Sequence, residues 1–123
     1  MILKDKFYQI TALQHEENSI TATLQIDANH TIFDGHFPNN PVTPGVVEME
    51  IIKEILATAL DKTLKMKSMS SCKFLAILNP TETPEVLVNI SIAEQEEKRI
   101  RINGQISATG TQFLKMGAEY AIL

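Results

Sequence analysis

Sulfur chemistry is almost missing from this chain. Cys72 is its only cysteine, which excludes an intrachain disulfide and any Cys-x-x-Cys metal or redox site. Excess positive charge is missing too: 11 Lys and Arg stand against 15 Asp and Glu, a formal charge of −4 that offers no basic field to nucleic acid. No apolar run approaches the ~20 residues of a membrane span. The opening Met-Ile-Leu-Lys-Asp turns charged at once and lacks a signal-peptide apolar stretch, which reads as a cytosolic protein. Gly104 and Gly110 lack the spacing of a phosphate loop. There is no internal repeat, no low-complexity segment and no linker rich in Gly, Ser or Pro. The 123 residues, 44% of them apolar, are enough for one core and too few for two, so residues 1–123 read as a single domain.

What is present is mostly alternation. Ile20, Ala22, Leu24 and Ile26 alternate with polar residues and predict a strand over Ser19–Asp27. Phe7–Leu13 predicts a strand before it, joined through a Glu-Glu-Asn-Ser turn. Val86–Ile92, Lys98–Ala108 and Leu114–Ile122 alternate in the same way, and Lys73–Leu78 predicts one more strand closed by Asn79-Pro80. From Pro44 to about Lys62 the period changes to that of a helix, with Thr43 as N-cap and Pro44 at the first helical position. Its apolar residues fall nearly all round the wheel, the pattern of a buried helix wrapped by a sheet. The class predicted is α+β, with five or six antiparallel strands around one long helix.

Acids punctuate that helix. Glu50, Glu54 and Asp61 share one narrow sector, and Glu48 points almost the opposite way. A carboxylate at Glu48 is accounted for by the helix dipole, which favours acids in a first turn. Glu50 lies further in, where that account is weaker. Just upstream runs Asp34-Gly-His-Phe-Pro-Asn-Asn-Pro-Val-Thr-Pro-Gly-Val-Val-Glu-Met-Glu50, a proline-stiffened loop suited to groups that must be held still. Elimination of water from a 3-hydroxyacyl thioester needs a base, an acid and a donor for the thioester oxygen. His36 can be the base, Glu50 the acid if apolar surroundings raise its pKa, and the Gly45 amide the first free donor at the helix start. A His and a Glu could serve many other reactions.

Gly35-His36-Phe37-Pro38-x-x-Pro41-Val42-x-Pro44-Gly45-Val46 followed by Glu50 resembles the signature of the β-hydroxyacyl-acyl-carrier-protein dehydratases of the FabA and FabZ type, and Phe33 fits as well. The resemblance implies a hot-dog fold, an antiparallel sheet curled round one central helix. It implies His36 and Glu50 as the catalytic pair, Gly45 as the amide that binds the thioester carbonyl, and Phe37, Pro38 and Val46 as substrate neighbours. It also implies an acyl carrier protein as substrate carrier, no cofactor, and a two-fold homodimer whose sites each draw on both subunits. The sequence departs from the family in several places. It lacks the N-terminal segment rich in Pro, His, Arg and Tyr, has Asn39-Asn40 where a glycine leads, and has Glu54 where a glutamine commonly follows the acid. Asn79-Pro-Thr-Glu-Thr-Pro84 replaces a Pro-Gly-Asp turn. These changes bear on acyl length and shape, and fit a specialised polyene or polyketide-like pathway as well as housekeeping synthesis.

Other candidates are fewer. Glu54 is either a partner supporting Glu50 or an exposed acid. Lys62, Lys65, Lys67 and Lys73 fall in an acid-free segment that is either a solvated face or a dock for an acidic carrier. His15 and His30 read as surface residues, Cys72 as a small buried hydrophobe, and no spacing supports a metal. Two functions compete with dehydration: a hot-dog thioesterase in which Glu50 activates water, and a non-catalytic subunit that binds acyl chains or partners another dehydratase.

Overall fold

The computed structural model describes residues 1–34 and 41–123. Six strands and one long helix follow one another as β1 (Tyr8–Glu16), β2 (Ser19–Ile26), α1 (Gly45–Leu60), β3 (Leu64–Phe74), β4 (Glu85–Gln95), β5 (Arg99–Ala108) and β6 (Thr111–Ile122), with a short 3-10 turn at Thr31–Phe33. All strand pairs are antiparallel, in the order β1-β2-β4-β5-β6-β3, so β1 and β3 form the two edges. This is the hot-dog arrangement that the motif implied.

The alternating residues do what their period requires. Ile20, Ala22, Leu24 and Ile26 of β2, Val86, Val88, Ile90 and Ile92 of β4, and Ile100, Ile102 and Ile106 of β5 are all buried, and all point to one face. That face closes on Val47, Ile51, Ile52, Ile55, Leu56 and Ala57 of α1, which form one core with it. The approach is close enough that a Cβ added to Gly104 would lie 3.0 Å from the Ile52 side chain. The helix is therefore held by the sheet on most sides, as its all-round apolar pattern predicts.

Two local expectations fail. The helix cap is Pro44, with no side-chain capping bond, and Gly45 is the first helical residue. Thr43 is instead buried: its amide donates to Leu78 O at 2.9 Å, and among the described residues its hydroxyl has no hydrogen-bond partner. The strand expected at Lys73–Leu78 lies earlier, over the lysine-rich Leu64–Phe74. Alternation hides it because β3 is an edge, exposed at most positions, and register shifts at Met66/Ser68 and Met69/Ser71 break its period.

Candidate functional site

Glu50 and Glu54 sit one helical turn apart on the same side of α1, where i and i+4 side chains meet. Both line a recess of about 240 Å³ together with Met1, Lys53, Ala57, Lys62, Thr63 and Leu64. Glu54 is almost wholly buried, at 1% exposure, and four donors converge on its carboxylate. Oε2 accepts from the amides of Ile2 at 3.2 Å and Leu3 at 3.1 Å, and Oε1 from the amide of Lys4 at 2.9 Å and the Tyr8 hydroxyl at 3.0 Å. Of the two readings of Glu54, exposed acid is excluded: it is a buried anchor that ties the segment before β1 to the helix.

Glu50 is half-buried beside it. Burial pushes its carboxyl above the usual range, a hydrogen bond with Glu54 and the repulsion of that charge add to the effect, and Lys53 opposes it. Two buried tyrosines face the same acids. Burial and the negative charges of Glu54 and Glu50 hold the Tyr8 phenol in its neutral form, and burial and Glu50 do the same for Tyr120, whose hydroxyl has no hydrogen-bond partner among the described residues. A carboxyl set beside a second carboxyl in apolar surroundings holds its proton more tightly than a solvated one, which suits it to a general-acid role.

Glu48 is not the exposed first-turn acid that the helix dipole would explain. It is 3% exposed, its Oε1 has no hydrogen-bond partner among the described residues, and burial raises its pKa to about 8. Its charge acts on Cys72 of β3, whose thiol is pushed up by burial and by Glu48. The wheel separated Glu48 from Glu50 correctly, but could not say that the Glu48 side is buried.

At the helix start, a Cβ on Gly45 would lie 2.6 Å from the ring of Phe74, the last residue of β3, so only glycine lets the helix approach that ring undisturbed. Val46 is 73% exposed. His36, Phe37 and Pro38 lie outside the described residues. The four lysines do not form one patch. Lys62 lines the Glu50 recess, whereas Lys65, Lys67 and Lys73 are spread along β3, the eight steps from Lys65 to Lys73 spanning about 26 Å. His30 caps the 3-10 turn by accepting from Ile32 N at 3.0 Å and stands edge-on to Phe7. Among the described residues no cluster of His, Cys, Asp and Glu could hold a metal, and no helix is long and apolar enough to cross a membrane.

These features define a hot-dog chain with an acid pair on its central helix. Residues 12–111 match the family model of the ApeI-like dehydratases, described as ApeI dehydratase, and the chain belongs to that family. It is 31% identical over 93 residues to a 3-hydroxyacyl-[acyl-carrier-protein] dehydratase FabZ of Latilactobacillus sakei, an alignment covering 70% of this chain and 64% of that protein. Among solved structures it is similar to the dehydratase heterocomplex ApeI:P of Xenorhabdus doucetiae, with TM-score 0.70 at 17% identity over 92% of this chain and 96% of that one. It is also similar to a hypothetical thioesterase of Streptococcus pneumoniae solved with coenzyme A, with TM-score 0.68 at 10% identity over 94% and 85% of the two chains. At those identities the structural likenesses establish the fold.

Proposed function

We propose that this chain dehydrates 3-hydroxyacyl thioesters carried by an acyl carrier protein to trans-2-enoyl thioesters, with no cofactor, in the cytoplasm. His36 removes the proton next to the thioester carbonyl, the bond from the β-carbon to its hydroxyl breaks, and Glu50 protonates the departing oxygen, which leaves as water. The Gly45 amide, at the positive end of α1, holds the thioester oxygen as charge develops on it. Phe37, Pro38 and Val46 border the substrate, and the acidic carrier meets lysines at separate points rather than on one patch, Lys62 at the Glu50 recess and Lys65, Lys67 and Lys73 along β3. The observation that carries this reading is the placing of half-buried Glu50 one helical turn from buried Glu54, its carboxyl pushed above the usual range, fourteen residues after His36 in a chain of the ApeI-like dehydratase family. The unpaired edge of β3, with Phe74 52% exposed and Ile77 beyond it 71% exposed, supports a dimer.

The test is incubation with carrier-bound 3-hydroxyacyl substrates while following both enoyl product and free thiol. Enoyl product from the wild type is expected, with His36→Ala and Glu50→Gln each lowering turnover roughly a hundredfold or more. Thiol release without enoyl product would instead make the chain a thioesterase. A second reading is favoured by the heterocomplex among its structural relatives: a subunit that acts with a different dehydratase chain. Inertness alone, with activity restored by such a partner, would establish it.

A further inference from the structure

The outward face of the sheet, opposite α1, carries two consecutive rungs without a carboxylate or an apolar side chain. The strand registers fix them. One rung runs Ser71, Gly117, Asn103, Ser91 across β3, β6, β5 and β4, and the next runs Lys73, Lys115, Gln105, Asn89 across the same strands. All of these residues except Gly117 line a groove of about 430 Å³, together with Gly104 and Met116. Gly117 lies within the first rung, where a Cβ would come within 2.7 Å of Ser70 Oγ, 3.2 Å of Asn103 Oδ1 and 3.3 Å of Ser71 Oγ, so a side chain there would crowd the polar groups of that rung.

Charge distinguishes this end of the face from its neighbour. Towards the other end, Arg99 is paired with Glu94, Glu96 and Glu119, and Arg101 with Glu94. Lys73 and Lys115 stand directly opposite each other, and among the described residues neither has a carboxylate within salt-bridge distance. Like charges directly across a strand pair destabilise it, and this one persists in a chain of net charge −4. The neutral residues are also turned to donate. Asn89 Oδ1 accepts from the Thr21 hydroxyl at 3.2 Å, and Gln105 Oε1 accepts from Gln112 Nε2 at 2.9 Å. Both amides thus leave their NH₂ groups as unspent donors beside two ammonium groups.

We propose that this groove binds a phosphate monoester, its dianion between Lys73 and Lys115 and its polar body along Asn89, Asn103 and Gln105. Two ammonium charges match the charge of roughly −2 that a monoester carries at pH 7, and the flanking amides and hydroxyls supply donors to its oxygens. The groove shares no residue with the Glu50 recess, and of the residues in the dehydratase reading only Lys73, a candidate carrier contact, belongs to it, so this inference does not depend on that reading.

Titration of the full chain with phenyl phosphate, dimethyl phosphate and acetate at matched ionic strength, read by the side-chain amide NMR signals of Asn89, Asn103 and Gln105, tests it. Saturable shifts with the monoester are expected, weakened about tenfold by Lys73→Ala or Lys115→Ala and unchanged by Lys65→Ala on the same strand. The absence of saturable shifts, equal shifts with acetate, a diester that binds as tightly as the monoester, or binding that survives in the Lys73→Ala/Lys115→Ala double variant would each overturn it. All three substitutions are at exposed positions, so each variant should fold for the comparison.

Discussion

Tyr8 donates its hydroxyl to Oε1 of Glu54 at 3.0 Å, joining the first strand to the middle of the helix across 46 residues of chain. With the amides of Ile2, Leu3 and Lys4 on the same carboxylate, Glu54 is the point where the N-terminal segment is fastened. Removing it leaves buried donors unsatisfied, whereas removing the phenol oxygen leaves one acceptor with three other donors. Glu54→Ala is therefore expected to cost about 3 kcal/mol or more and Tyr8→Phe about 1–2 kcal/mol in urea unfolding. An alanine cost below that of the Tyr8 variant would show that the fastening is not where the hydrogen bonds put it.

Glu48 supplies a pH dependence with a definite sign. Its folded pKa is about 8 against an ordinary 4.5, so the folded chain holds the proton more tightly than the unfolded chain. Its contribution is complete below pH 4.5 and is lost as pH rises towards 8, at up to about 1.4 kcal/mol per pH unit. Glu48→Gln keeps the neutral shape and removes the titration. Thermal melts should thus show the variant close to wild type at pH 5 and clearly more stable at pH 8. Parallel curves for the two proteins across that range would rule out a buried, titrating Glu48.

How far the sequence spoke is best seen in β2 and β3. Ser19–Asp27 was legible because one face of β2 is buried and the other is not, and burial on one side writes itself as alternation. β3 has a neighbour on one edge only, two register shifts and little burial, so nothing in its composition had to alternate. The acid pair divides in the same way. That Glu50 and Glu54 share a helix side follows from a period of 3.6 residues. That Glu54 is buried depends on partners some fifty residues earlier, which helix spacing cannot reveal. The Lys73–Lys115 pair was invisible for the same reason, since cross-strand register exists only after folding.

The Glu50 carboxyl should titrate above the ordinary carboxylate range, because burial, its hydrogen bond to Glu54 and the repulsion of that charge all favour the protonated form. Glu54→Gln removes the repulsion while keeping a hydrogen-bonding side chain, so the Glu50 midpoint should fall towards the usual range. Carbon-detected NMR titration of the side-chain carboxyls in the two proteins checks this without reference to turnover. An unchanged midpoint would mean that burial alone sets the behaviour of Glu50 and that Glu54 is purely an anchor.

The last expectation concerns which chain supplies each half of the proposed pair. Glu50 lies six residues past Pro44, about 9 Å along the helix at 1.5 Å per residue, and the edge strand β3 is free to meet a second copy. If the site is shared across a two-fold dimer, His36 of one subunit serves Glu50 of the other. Mixing inactive His36→Ala with inactive Glu50→Gln under conditions of subunit exchange then makes about half of the dimers mixed. Each mixed dimer holds one site with both native groups and one with neither, so roughly a quarter of wild-type activity should return. A pair contained within one subunit restores nothing, and a flat result after exchange has been verified by mass spectrometry would assign both groups to the same chain.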